Sequence, residues 1–442
     1  MAASSELHGR RDASARALEV TEALGRRAIA RVLKRLMPLL GLLYVVAYID
    51  RQNVSYAKLQ MVDDLGLSEA AYGLGASLFF IGYFLFEVPS NLVLERVGAR
   101  LWFARIMASW GAITIALGFT QNAAMFYGLR FLLGAAEAGF FPGVLYLLTK
   151  WLPQSHQARA VGLFMIASAV ANAIGAAIGG ALLDLDGLLS LRGWQWVFLA
   201  TGIPALLLVP VVLRLLPDGP EQARWLPDDE RRWLAAAIGE EARAPVGRRH
   251  HPLAALADPR VLLYAITFFG FPLAAYGLSY WLPTIVRGFG VSNTVNGLLN
   301  VIPWTLVAIA LWAVPRWAAG RPWIAIAAMT ATGSLALVLS AVLPGDAPRF
   351  AALCVAAAAI FAVQPIFWSL PTRILSGPAA AAGLAAINSV GNLGGFVAQA
   401  AVPRVRAIFA SDLAPLLFLA LCFGLAGLLA TGSARTSLRA GR

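Results

Sequence analysis

The chain has 442 residues, 59% of them hydrophobic and only 13% charged, with a mean hydropathy of +0.71. Soluble domains carry about a quarter charged residues, so this composition excludes a soluble enzyme or binding module and describes a polytopic membrane protein. The net charge of +12 does not point to nucleic acid, because the arginines cluster in loops beside apolar runs, the orientation signal of membrane spans.

Charge-free runs of helical length recur about a dozen times, which predicts an all-α bundle rather than a barrel. The basic segment 1–35 precedes the first run and has no short apolar region of a cleavable signal. It reads as a cytoplasmic tail, with Arg26, Arg27, Arg31, Lys34 and Arg35 before the first span. Spans are expected near 36–57, 73–94, 101–119, 124–149, 160–183 and 195–216. Residues 217–259 are polar, too short in apolar runs to cross, and form a cytoplasmic linker with a short amphipathic helix near 229–238. Six further spans follow near 261–284, 294–316, 322–343, 349–372, 379–402 and 411–432, then a basic tail, 433–442. The expected organisation is therefore two six-helix bundles, 36–216 and 260–432, with both termini cytoplasmic. Arg404 and Arg406 fall on the outer side against the charge rule, which is statistical. The halves echo each other: Pro142 precedes Lys150 by eight residues, and Pro365 precedes Arg373 by eight, a shift of 223. Parallel repeats of this kind build two-bundle transporters.

The two cysteines, Cys354 and Cys422, lie in apolar runs, and the four histidines, His8, His156, His250 and His251, lie in the tail or in loops. No disulfide framework, metal site or cofactor is expected. An intramembrane hydrolase or metalloenzyme would need His at depth, so the chain is not expected to be an enzyme.

Charges at membrane depth are the informative residues, since they are costly there and face a protein interior or watery cavity. The first span contains Tyr48, Asp50 and Arg51; Asp50 lies fourteen residues beyond Leu36, about 21 Å along a helix. The fourth contains Arg130 and Glu137, seven residues apart and on one helix face. Counting depth from each end puts Asp50, Arg51 and Arg130 in one layer, with Glu137 below. A carboxylate in a low dielectric takes up a proton more readily, so Asp50 and Glu137 are candidate proton sites. Arg does not titrate and presents a planar fork to carboxylates, so Arg51 and Arg130 are candidate anion sites. The alternative for Arg130 is a structural clamp on Asp50. Glycines around Glu137 allow another helix to approach closely. Glu87, near the cytoplasmic end of span two, reads as a structural bridge to loop basics. The second half offers Tyr276, Tyr280, Trp281, Gln364, Trp368 and Ser369, with Asn388 and Asn392 four apart on one face; these line a cavity or glue helices together.

Four stretches in order resemble the major facilitator superfamily and, within it, the anion:cation symporter family, over about residues 36–432. They are Tyr48 to Ser55, Phe79 to Asn91, Arg130 to Gly143, and Asn388 to Phe396. The resemblance implies proton coupling at Asp50 and Glu137, substrate carboxylate binding at Arg51 and Arg130, and a cavity lined by Tyr48, Tyr83, Trp368 and Asn392. It implies inward movement of organic anions with protons: tartrate and other sugar acids, aromatic acids and similar compounds. The loop after span two departs from the superfamily pattern, with Asn91 in place of Gly and Glu95 in place of Asp; Glu95, Arg96 and Arg100 are candidate gating residues. The loop after span eight, 314–321, has no acid. Span five has Ser168 and Asn172 where sugar-acid carriers tend to place Gln, and its 175–180 stretch lacks the Pro typical of antiporters.

The expectation is thus a monomeric carrier in the cell's inner membrane. It takes up a small organic anion with protons by alternating access, with the proton as coupling ion and the bilayer as its only other partner. Two protons with one monoanion would carry net +1, about 2.3 kcal/mol per 100 mV. A proton-driven exporter of a drug or metabolite, or an anion sensor that does not transport, are the alternatives.

Overall fold

In the computed structural model, residues 2–243, 259–318, 321–371 and 378–440 are described. The first half is α1 (Ala2–Asp64), α2 (Glu69–Val97), α3 (Ala99–Leu117), α4 (Ala123–Glu137), α5 (Phe140–Trp151), α6 (Gln154–Leu183) and α7 (Gly193–Leu215). A helix α8 (Asp228–Arg243) follows in the polar segment. The second half is α9 (Pro259–Arg287), α10 (Asn293–Trp317), α11 (Pro322–Val342), α12 (Asp346–Trp368), α13 (Pro378–Phe409) and α14 (Ala414–Ala440). Ten candidate spans, long and apolar enough to cross a membrane, occur among the described residues, α4 and α5 together making one. The less apolar α3 and α13 occupy the positions of the third and eleventh expected spans.

Within the first half α1 packs on α6 and α7, α2 on α4, and α3 on α7; within the second, α9 packs on α13 and α14, and α12 on α10 and α11. The two sets meet along α6 with α10, α2 with α13, and α1 with α9. Apolar residues face outward as well as inward: Leu207, Leu421 and Leu428 are exposed, as expected for helices whose solvent is lipid.

Two features differ from the expected spans. The basic segment ahead of the first span is helical and continuous with it. It carries α8: Arg31 donates to both oxygens of Glu230, at 2.8 and 3.1 Å, which defines one face of the molecule. The fourth span is broken. Glu137 ends α4, Ala138 is extended (φ −55°, ψ 133°), and Gly139 is left-handed with φ 88° before α5 begins. A Cβ at Gly139 would also run into Ser90 of α2. That glycine therefore permits both the break and the close approach of α2.

On the face opposite α8 the two halves are closed on each other. A Cβ on Gly180 of α6 would lie 2.5 Å from the Asn293 carbonyl oxygen and 2.7 Å from Gly297 Cα of α10. Asp184, which caps the C-terminal end of α6, accepts from the Asn293 amide at 3.0 Å and the Thr294 backbone N–H at 3.2 Å. It also accepts from the Thr294 hydroxyl. The Thr294 hydroxyl, then the Asn293 amide, hold this carboxyl below the usual carboxylate range.

Candidate functional site

Arg51 of α1 and Glu137 of α4 meet beside the interface of the two halves. Arg51 is held by Glu137: its Nη2 and Nε donate to Oε2 at 2.9 and 3.3 Å. The Arg51 side chain is 14% exposed and Glu137 1%, so the pair is almost entirely dehydrated. Three aromatic rings surround the Arg51 guanidinium, with centroids 5.8 Å (Tyr48), 5.3 Å (Phe79) and 5.1 Å (Tyr83) away. Cation–π contacts of this kind stabilise a dehydrated cation. The second half supplies Tyr280, whose hydroxyl donates to the Arg51 carbonyl oxygen at 2.9 Å. Tyr276 packs edge-on against Phe80, at 4.8 Å.

Arg130 is fully buried and lies over the same Phe79 ring, at 4.9 Å. It does not clamp Asp50. Nη2 donates to the Ala76 carbonyl oxygen at 3.4 Å, and Nε and Nη1 have no hydrogen-bond partner among the described residues. Glu137 Oε1 is likewise buried and unpaired. Unmet buried polar groups cost several kcal/mol in an apolar medium, so two free N–H donors over the Phe79 ring that Arg51 also faces, with a free oxygen on the carboxylate that holds Arg51, describe a place for an anion and a proton.

Asp50 is buried within the first half, away from the second. It accepts from Thr114 Oγ1 of α3 at 2.9 Å and Asn53 Nδ2 at 3.2 Å, and Asn53 donates to Thr201 of α7 at 2.8 Å. The expected common layer is thus divided. Arg51 turns toward Glu137, while Asp50, one residue earlier and about 100° round the helix, turns into the α3–α7 side.

The remaining sequence candidates fall in three groups. Asn388 donates to Glu87 Oε1 and Ser389 to Oε2, each at 3.3 Å. Glu87 therefore bridges α2 to α13 rather than to loop basics. Trp368 packs edge-on against Phe268, at 4.7 Å; Gln364 and Asn392 are half-buried. Glu95, Arg96 and Arg100 are exposed at the α2–α3 turn and make no ion pair among the described residues. There the Arg100 backbone N–H donates to Asp218 at 2.8 Å. Among the described residues no group of three or more His, Cys, Asp or Glu could hold a metal.

Sequence reasoning missed Thr114 and Thr201, which lie far along the chain from Asp50 and Asn53 and which no local pattern announces. It also missed Lys58, buried seven residues after Arg51, although that spacing puts both on one helix face. Two half-to-half contacts were missed as well: Gln52 with Ser279 at 3.3 Å, and Asp184 with α10.

The Major Facilitator Superfamily profile matches residues 40–399. Among curated relatives, a quinolone resistance transporter of Acinetobacter baumannii is 45% identical over 90% of this chain and 93% of its own. A protein of Agrobacterium vitis named for tartrate transport is 42% identical over 95% of this chain and 94% of its own. The inner membrane transport protein RhmT of Escherichia coli is 38% identical over 87% and 90%. Among solved structures, a bacterial homologue of the human lysosomal transporter Spinster superimposes with a TM-score of 0.74 at 16% identity, covering 91% of this chain and 97% of that one. A D-xylose–proton symporter gives a TM-score of 0.68 at 16% identity, over 90% and 96%. At these identities the structural likeness concerns the fold.

Proposed function

The chain belongs to the Major Facilitator Superfamily, a membrane transporter and not an enzyme, and from that premise we propose that it couples uptake of a small organic carboxylate to protons. On this reading it crosses the inner membrane twelve times, with the termini and α8 on the cytoplasmic side, and works as a monomer. The observation that carries it is the pairing of Arg51 with Glu137, together with the two unpartnered nitrogens of Arg130, whose guanidinium lies over the same Phe79 ring as that of Arg51. Glu137 and a substrate carboxylate compete for the same guanidinium. A proton on Glu137 removes the competitor, so Arg51 and Arg130 together accept the anion. Loss of the proton on the cytoplasmic side restores the Arg51–Glu137 pair and expels the load. The Asp50 site, bonded only to neutral donors, is the second proton position. Closure of the Asp184 face, with Glu87 joined to α13 on the other side of the site, fits a cycle in which the halves rock about the site.

The relative named for tartrate favours small hydroxy acids as the first substrates to try. The relative named for quinolone resistance favours a second reading, expulsion of a carboxylate-bearing drug against protons. The test is vesicle uptake under an inward proton gradient with labelled tartrate and benzoate. Accumulation that collapses with a protonophore supports symport. Accumulation driven only by an outward-directed gradient supports the exporter.

A further inference from the structure

The contacts closing the Asp184 face include one cation that this cycle does not use. Lys58 and Arg51 share a face of α1, two turns and about 10 Å apart. The Lys58 side chain is 3% exposed. Its Nζ lies 2.8 Å from Glu69 Oε2 and 3.2 Å from Thr284 Oγ1, which accepts from it. It also lies 4.0 Å from the Trp281 ring centroid and 5.3 Å from that of Tyr72.

These partners divide by half of the molecule. Glu69 and Tyr72 are on α2 and belong with α1, whereas Thr284 and Trp281 are on α9. Parting of the halves on this face strips Lys58 of its α9 ring and hydroxyl. The ammonium is then left on the wall of an open vestibule, directly above Arg51, with one partially exposed carboxylate beside it. An ammonium on a flexible stem is a point charge without the geometric demands of a guanidinium fork. It suits loose capture and onward transfer rather than final binding.

We propose that Lys58 is an outer carboxylate-binding station on the path to Arg51. With the face open it takes the carboxylate of an incoming organic anion; with the face shut, Glu69 occupies that position and Trp281 covers it. The proposal rests on the reading of Arg51 and Arg130 as a carboxylate site.

The chain has three lysines, Lys34, Lys58 and Lys150. Lys34 follows Arg31, which binds α8, and Lys150 ends α5, which packs on α8. Lys58 is therefore the one lysine on the Asp184 face. Right-side-out vesicles are treated with an impermeant sulfonated succinimidyl ester, and acylation of Lys58 is followed by peptide mass spectrometry. Wild type, Arg51→Gln and Asp184→Asn are compared in tartrate, in benzoate and in chloride of equal ionic strength.

The expected result is that Lys58 is labelled and that a carboxylate slows labelling about threefold at roughly twice its dissociation constant, the factor 1 + [L]/Kd. Arg51→Gln keeps this protection, because Lys58 binds on its own. Protection present in wild type but lost in Arg51→Gln overturns the station and leaves the deep site standing, since closure over Arg51 would then be what shields the lysine. No labelling in either wild type or Asp184→Asn also overturns it. Labelling indifferent to carboxylates overturns it too. If the same carboxylates are nevertheless taken up, the transport reading survives; if they are not, both fall.

Discussion

Replacing Glu137 by Gln isolates the competition at the centre of the proposed cycle. In wild type an anion must displace a carboxylate held at 2.9 Å from the Arg51 guanidinium. A hydrogen bond to a charged group contributes about 1.5–3 kcal/mol, so removing the competitor tightens anion binding by roughly ten- to a hundredfold, at about 1.4 kcal/mol per tenfold. The gain applies where Glu137 is ionised. Lowering the pH protonates it in wild type, frees Arg51 and brings the wild-type affinity toward that of the variant. Calorimetry of the purified protein with tartrate, or with another carboxylate that wild type accumulates, reads this directly over a pH series. Wild type tightens as pH falls, while Glu137→Gln starts tight and stays flat. In vesicles the variant exchanges labelled for unlabelled anion but does not accumulate it under a proton gradient. Weaker binding by the variant at alkaline pH, or an unchanged pH slope, would refute the competition.

The other predictions concern the elements around the site. Gly139→Ala forces a side chain into φ 88° and against Ser90, a strain of about 1–3 kcal/mol, and by moving the end of α4 it impairs transport; thermal unfolding and vesicle exchange check both effects. Gly180→Val wedges α6 from α10, where even a Cβ would meet Gly297 Cα at 2.7 Å, and raises the labelling of Lys58 from outside. Asp184→Asn loosens the same closure and also raises labelling. The Asp184 carboxyl is held below its ordinary range in the closed form, so its contribution is complete above the ordinary value and is lost only as pH falls through the lowered one. The variant's effect is therefore constant between about pH 5 and 8 and vanishes in strong acid. Arg130→Lys keeps the charge but loses the fork with its free Nε and Nη1, and raises the half-saturating carboxylate concentration more than tenfold in uptake assays, about 1.4 kcal/mol or more.

The four central charges were legible because Asp50, Arg51, Arg130 and Glu137 interrupt runs of apolar residues, and charge at membrane depth is rare enough to stand out. Helical rise also gave their depths. It could not give side-chain direction: Arg51 reaches to Glu137 although the two Cα positions were expected in different layers, and Asp50 takes its hydrogen bonds from Thr114 of α3 and from Asn53. The break after Glu137 was hidden because glycine marks close approach and left-handed backbone alike, and Gly139 serves both. Glu87 was recognised as a bridging residue, but Asn388 and Ser389 lie about 300 positions away, beyond any local pattern. Lys58 was different. Its spacing from Arg51 is in plain view, but it falls one residue beyond the expected first span, 36–57, at a span end where a cation commonly snorkels.

The central claim is that anion and proton cross together through the Arg51–Arg130 site. The most direct measurement uses vesicles containing a trapped pH indicator, with no gradient imposed, to which external tartrate is added alongside protein-free controls. The account predicts acidification inside the wild-type vesicles, none in the controls, and little with Arg130→Gln. Alkalinisation of the interior, or anion entry without any change in pH, would contradict it.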